Sequence, residues 1–257
     1  MSASELPPQS ENSQGESPAR ESHVKVVDRW RECTNFPPDH PERLVEFLHR
    51  QMNEEANVME NAASSLVDFP EADWSIRKSL ARQCADEARH TLIYKRLLEK
   101  RGGRVGQYPV LNFQYKTIRK IDSLIGRLAV ENRTFEADGL DAVTYGLTQA
   151  EQSGDAELWA VYDAQQADEI RHVGFANEYI RRQIRKDPRS ALEMARALTD
   201  SMQAFKETFD DGGTLVSEYG IAHDERRMAG FDAGEIEVAH EQAEARRAAV
   251  RQQLTCT

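Results

Sequence analysis

The sequence predicts an all-α protein: an up-down four-helix bundle, a long crossover between its two helix pairs, and additional C-terminal helices. Three observations carry this. No stretch alternates apolar and polar residues with period two for long enough to make a strand. Long runs rich in Ala, Leu, Glu, Gln and Arg are stopped at Arg101-Gly102-Gly103, Ser153-Gly154-Asp155 and Asp187-Pro188. Finally, Asp86-Glu87-Ala88-Arg89-His90 returns as Asp168-Glu169-Ile170-Arg171-His172, 82 residues later counted from Glu87 to Glu169.

Residues 1–24 are Ser, Glu, Pro and Gln with few apolar side chains, and are expected to be a disordered tail. A connector follows over 25–41, with Trp30 and Phe36 available to pin it to the body and Pro37, Pro38 and Pro41 excluding helix. The first long helix starts near Pro41, where a missing N–H costs little, and runs to about Val67. Its inward stripe is Leu48, Met52, Met59, Ala62 and Leu66, interrupted by Glu55.

The second helix spans about 73–100, with Asp73 as N-cap candidate and the Gly102-Gly103 stop behind it. Its stripe holds Leu80, Cys84, Glu87, His90 or Thr91, and Tyr94. A linker over 104–115 is long enough to cross the bundle. The third helix is expected to run unbroken from about Lys116 to Gln152, although its middle, Glu131 to Asp141, is crowded with acids. The fourth starts after Asp155 and ends at Lys186. A fifth helix (about 188–210), an irregular stretch (219–234) and a charged helix (235–254) complete the chain. The expected organisation is a tail (1–24), a bundle with its connector (25–187) and a C-terminal extension packing on it (188–257).

Composition narrows the function. A net charge of −11 over 257 residues leaves no basic stripe for nucleic acid. No apolar run approaches the ~18 residues of a membrane span. The N-terminus lacks the basic and apolar regions of a secretory signal. Cys33, Cys84 and Cys256 have no metal-type spacing and read as reduced thiols, so a cytoplasmic location is expected.

The repeated segments carry the chemistry. Glu-x-x-His on a helix holds a carboxylate and an imidazole side by side on one face. Two such helices, each with a carboxylate-bearing partner, make the ligand set of a dinuclear iron or manganese site in a four-helix bundle. Antiparallel neighbours share height when they lie equally far from their turn. Glu87 lies 16 residues after a turn centred near 71, and Glu55 lies 16 before it. Glu60 is five residues out of step, about 7–8 Å at 1.5 Å per residue. Across the second turn, Glu136 matches Glu169 to within about 3 Å, whereas Glu131 misses by about seven residues.

The expected ligands are therefore Glu55, Glu87, His90, Glu136, Glu169 and His172, with Glu60 as an alternate or supporting acid. His49 and His223 are weaker candidates, and Cys84 reads as a small buried hydrophobe. One Glu-x-x-His alone would be a weak signal, because surface helices abound in both residues. Four carboxylates facing one core would cost several kcal/mol per ion unless a cation neutralised them.

These segments resemble the ferritin-like superfamily, and within it DUF455-type proteins. The resemblance rests on Glu55 to Glu60, Asp68-Phe69-Pro70, Asp86 to His90, Glu136 to Asp141 and Asp168 to Val173, spread over roughly 42–185. It implies an up-down bundle with a di-iron centre. Acids stand at both the Glu55 and Glu60 positions in that family, so the resemblance does not choose between them; Glu131 has no evident counterpart.

Carboxylate-rich ligation suits two iron ions, or iron with manganese, better than zinc or copper. The expected activity is O₂-dependent oxidation of a small organic substrate, with an external electron donor and with a homodimer as the assembly open to it. Tyr94 and Tyr162, a heptad after Glu87 and a heptad before Glu169, are candidates to carry electrons or a radical. Ala56, Ala63, Gly139 and Gly146 are small enough to open a substrate pocket. The alternatives are a ferroxidase or iron-binding protein, and a non-catalytic helical interaction protein.

Overall fold

The computed structural model describes residues 20–37, 39–209 and 219–255 of the chain. Most of the expected disordered tail (1–19) lies outside the described residues, as does Asp211-Gly212-Gly213, where the fifth helix is expected to stop. Residues 20–24 lie against the body: Arg20 donates to both carboxylate oxygens of Glu60, at 2.9 and 3.0 Å, and to Asn53.

The chain is all-α. Helix α1 (Arg43–Asp68) and helix α2 (Trp74–Lys100) form an antiparallel pair. Asp73 stands at the N-terminus of α2 but does not cap it; its carboxylate pairs with Arg182 instead, at 3.0 Å. Helix α2 stops where Gly102 takes a positive φ of 82°, which a side chain would resist.

The crossover contains the one departure from pure helix among the described residues. Val26–Val27 (β1) pairs in parallel with Val110–Leu111 (β2), tying connector to crossover. Two residues per strand are too few to leave a period-two pattern. Trp30 and Phe36 do anchor the connector: Trp30 is buried against Phe209 and Arg50, and Phe36 stacks on His40 and meets Tyr108 edge-on.

The expected continuous third helix is instead three pieces and a bulge. A short α3 (Phe113–Ile118) ends, and α4 (Leu124–Val130) begins at Ser123, whose Oγ accepts from Gly126 N–H. Arg127 Nε reaches back to the Ile121 carbonyl at 2.9 Å and closes the break. Neither Pro nor Gly punctuates this break between Arg119 and Ser123. Glu131–Phe135 then form a π-turn that leads into α5 (Glu136–Ser153). Glu136 N–H bonds the carbonyl five residues back, and Thr134 Oγ1 donates to Ala129 O at 3.0 Å.

Gly154 is left-handed (φ 70°), and Asp155 caps α6 (Ala156–Lys186) through Leu158 N–H at 3.1 Å, as expected. Helix α7 (Ser190–Phe209) packs mainly on α4. The expected irregular stretch holds a short α8 (His223–Met228), followed by α9 (Ala233–Thr255). Helix α8 is fixed to α5 by Arg226, which meets both oxygens of Asp141 at 2.9 and 2.6 Å.

The interior is layered along the helices. One apolar cluster (Leu48, Met52, Tyr94, Leu98, Val143, Tyr162) fills one end, and another (Ile76, Leu80, Ile125, Leu128, Ala176, Ile180) fills the other. Each fully buried side chain of this kind stabilises the fold by about 1.5–3 kcal/mol. Between them lies a buried polar layer.

Candidate metal centre

Six side chains meet in that layer, one acid from each of α1 and α5 and a Glu-x-x-His from each of α2 and α6. Glu55, Glu87, His90 and Glu169 offer ligand atoms within 4.8 Å of one another, and so do Glu87, Glu136, Glu169 and His172. Glu87 and Glu169 belong to both groups. All six residues are buried, none more than 6% exposed.

Both imidazoles turn Nδ1 inward. His90 Nδ1 lies 2.8 Å from Glu87 Oε2 and 3.3 Å from Glu55 Oε2; His172 Nδ1 lies 2.8 Å from Glu87 Oε1 and 3.4 Å from Glu169 Oε2. Their outer nitrogens cross the bundle. His90 Nε2 faces Asp168 Oδ2 of α6 at 3.2 Å, and His172 Nε2 faces Asp86 Oδ2 of α2 at 3.4 Å. Arg89 and Arg171 lie over the same two aspartates and neutralise them. A carboxylate on the outer nitrogen fixes the ring orientation and raises the basicity of the inner one.

The terminal acids are held across the bundle in the same crossed way. Gln165 Nε2 donates to Glu55 Oε1 at 3.0 Å and to Glu169 Oε1 at 3.2 Å. Gln83 Nε2 donates to Glu136 Oε1 at 2.8 Å. The glutamine carbonyls are satisfied differently, Gln165 by Tyr94 Oη at 2.7 Å and Gln83 by Asn132 Nδ2 at 3.0 Å.

The electrostatics show charge crowding. Burial, then the charge of Glu136, pushes the Glu87 carboxyl up to about 7. Glu136 is raised well above the usual range by burial and by Glu169. Burial would lower His90, but Glu55 and Glu87 outweigh it and raise the ring to about 10. His172 is likewise raised against its burial, by Glu87 and Asp86. The layer thus retains protons that compensate its carboxylates. Glu87 Oε1, Glu169 Oε2 and His172 Nδ1 are buried without a hydrogen bond, though they face one another. Once the His172 ring gives up its proton, these three atoms are inward electron-pair donors, the two oxygens 2.8 and 3.4 Å from the ring nitrogen, an arrangement that fits a cation. Four carboxylates and two imidazoles fit a hard or borderline one.

Other expectations fare differently. Glu60 is not brought to the layer: five residues after Glu55 is about 140° around a helix, and its carboxylate turns out to Arg20. His49 accepts from Gly106 N–H at 2.9 Å and pins the crossover; burial lowers its ring to about 4. His223 pairs with the ring of His240, and neither belongs to a four-donor group. Cys84 is half-buried and likewise outside both groups.

Tyr94 is buried one side chain from the acids, through Gln165. Tyr162 is buried in the same apolar cluster. It also corrects the pocket expectation at Gly146, because its ring fills the space there and an added Cβ would lie 2.8 Å from it, whereas the space beside Gly139 is open. A cleft of about 350 Å³ is floored by Ala129, Ile180, Ile184, Met194 and Leu198 and includes none of the six residues.

Sequence reasoning missed Asp86, Asp168, Gln83 and Gln165, yet their signal was present. The repeat is longer than Glu-x-x-His: Gln83-Cys84-Ala85-Asp86-Glu87-Ala88-Arg89-His90 matches Gln165-Gln166-Ala167-Asp168-Glu169-Ile170-Arg171-His172 at Gln, Ala, Asp, Glu, Arg and His. Asn61 and Asn132 had no such signal.

A family model described as "Protein of unknown function (DUF455)" matches residues 1–237. No curated protein and no solved structure matches the chain.

Proposed function

Because the chain belongs to the DUF455 family, we propose, on the geometry of its buried layer, that it is a ferritin-like non-haem di-iron (or iron–manganese) oxidase or oxygenase acting on a small organic molecule. The observation that carries this reading is the pair of overlapping four-donor groups sharing Glu87 and Glu169. Shared carboxylates between two such groups are what a dinuclear centre requires, whereas a single structural ion needs only one group. When bound, such a pair of ions supplies the electrons for reducing O₂.

The chain's own residues hold and orient the pair. Glu55 with His90 would serve one ion, Glu136 with His172 the other, and Glu87 and Glu169 would bridge. Asp168 and Asp86 keep each Nδ1 pointing inward. Gln165 links Glu55 and Glu169 to the Tyr94 hydroxyl, which makes Tyr94 the entry point for electrons from an external donor. Tyr162, in the same apolar cluster, extends that route. The apolar ends of the bundle exclude bulk water from the layer.

Anaerobic Fe(II) titration of the full chain, followed by O₂, tests the proposal. Saturation near two Fe(II) per chain, with O₂ uptake and a transient absorbance change, is expected. Fewer than about one ion bound would sink the metal reading, and a stable iron load that ignores O₂ would sink the oxidative one. Assembly into a large many-subunit shell on gel filtration would favour iron storage instead.

A further inference from the structure

Glu131 is a buried acid outside the six-residue layer, and no cation pairs with it among the described residues. It stands on the π-turn, five residues before Glu136, and is 5% exposed. Asn61 of α1, 1% exposed, donates from Nδ2 to Glu131 Oε2 at 2.9 Å. The remaining oxygen of Glu131, Oε1, and the carboxamide oxygen of Asn61, Oδ1, are buried with no hydrogen-bond partner. Two orphaned acceptors on a hydrogen-bonded pair of buried side chains are costly to leave unmet.

Both residues line one cavity of about 10 Å³, and every residue around it is buried. That is the scale of a single water. Gln83 lines it too. A carboxamide nitrogen carries two N–H groups, and Gln83 Nε2 spends one on Glu136 Oε1. Its counterpart Gln165 spends both, on Glu55 and Glu169.

We infer that this cavity is a built water site, and that Glu131 is a positioning residue which holds Glu136 through it. The bonding closes. The water donates one O–H to Glu131 Oε1 and the other to Asn61 Oδ1, and accepts the second N–H of Gln83. Three bonds is the usual complement of a buried water. The same partners serve if Glu131 carries a proton, with that one bond reversed. Gln83, gripped by the water and by Asn132, then presents its first N–H to Glu136 in a fixed direction. The π-turn is what makes this possible, since on a regular helix Glu131 and Glu136 would point about 140° apart.

The existence of the water does not depend on the proposed metal centre; the effect on Glu136 does. The test has two parts. In a high-resolution crystal structure of the metal-free full chain, one water peak is expected within hydrogen-bond distance of Glu131, Asn61 and Gln83. It should persist in Glu131→Gln and vanish in Glu131→Met. In Co(II) titrations followed by absorbance, Glu131→Met should weaken one of two ions by about 10–100-fold, the usual effect of removing a supporting partner. Glu131→Gln should restore it, and Asn61→Leu should reproduce the Met effect if the latter variant folds poorly. Absence of the water, a metal ion in its place, or unchanged Co(II) affinities in Glu131→Met and Asn61→Leu would overturn the inference. Failure of the unaltered chain to bind Co(II) would sink the metal-centre proposal alone, with the water peak still deciding this one.

Discussion

Replacing Glu55 by Gln, beside Glu60→Gln, separates two acids on one helix by their environments. Glu55 is 4% exposed and belongs to one of the two four-donor groups only. Its Oε1 accepts from Gln51 at 2.8 Å and Gln165 at 3.0 Å, bonds that a Gln carbonyl can still accept, so Glu55→Gln should fold normally. It leaves Glu87, His90 and Glu169 for that ion, without the acid that completed the set. With free metal at about 1,000 times Kd, each bound ion stabilises the chain by about 4 kcal/mol. At about 2 °C per kcal/mol for a chain of this size, that is roughly 8 °C per ion and roughly 16 °C for two. Scanning calorimetry with and without Fe(II) under argon should show the metal-induced shift halved in Glu55→Gln, and elemental analysis should fall from two ions to one. Glu60→Gln weakens a partly exposed pair with Arg20, worth about 1 kcal/mol or less, and should keep the full shift and both ions. A full shift in Glu55→Gln with a halved one in Glu60→Gln would refute the assignment.

Three further outcomes follow from particular contacts. Asp168→Asn should weaken the ion at His90 by about 10–100-fold in chelator competition, and Asp86→Asn should do the same to the ion at His172, because each aspartate orients the ring on the opposite helix. Arg226→Met should lower stability by about 3–5 kcal/mol in urea unfolding by leaving Asp141 buried and unpaired, and adding Asp141→Asn should recover part of the loss. The Cys33 thiol is pushed up from 9.0 to about 11, chiefly by burial, so iodoacetamide at pH 8 should alkylate it about 100-fold more slowly than in the unfolded chain. The folded state holds this proton more tightly; the stability so gained is complete below pH 9.0 and is lost as pH rises through about 11.

The helices and most of their ends were legible because each is announced locally. Gly102 and Gly154 supply the left-handed stops, Asp155 supplies a cap, and Pro188 forbids continuation. The convergence of Glu55, Glu87, Glu136 and Glu169 was legible too, because equal distance from a short turn fixes height on antiparallel helices whatever the packing. Height arithmetic kept Glu131 out of the layer, and it belongs to neither four-donor group; the direction it faces was not legible, since reading a face from spacing assumes 3.6 residues per turn. The π-turn breaks that assumption at a segment, Glu131-Asn132-Arg133-Thr134-Phe135, with no composition signal for it.

By itself, then, the sequence determined an all-α chain and a twice-repeated Gln-x-Ala-Asp-Glu-x-Arg-His, in which only the Glu and His announce their chemistry by spacing. Tertiary structure alone decided what the rest of the repeat does. Asp86 and Gln83 act on His172 and Glu136, and Asp168 and Gln165 on His90 and Glu55, always across the bundle. Spacing along one helix reports which side chains share a face. It says nothing of which facing helix each one reaches, because that depends on how the helix pairs pack against each other.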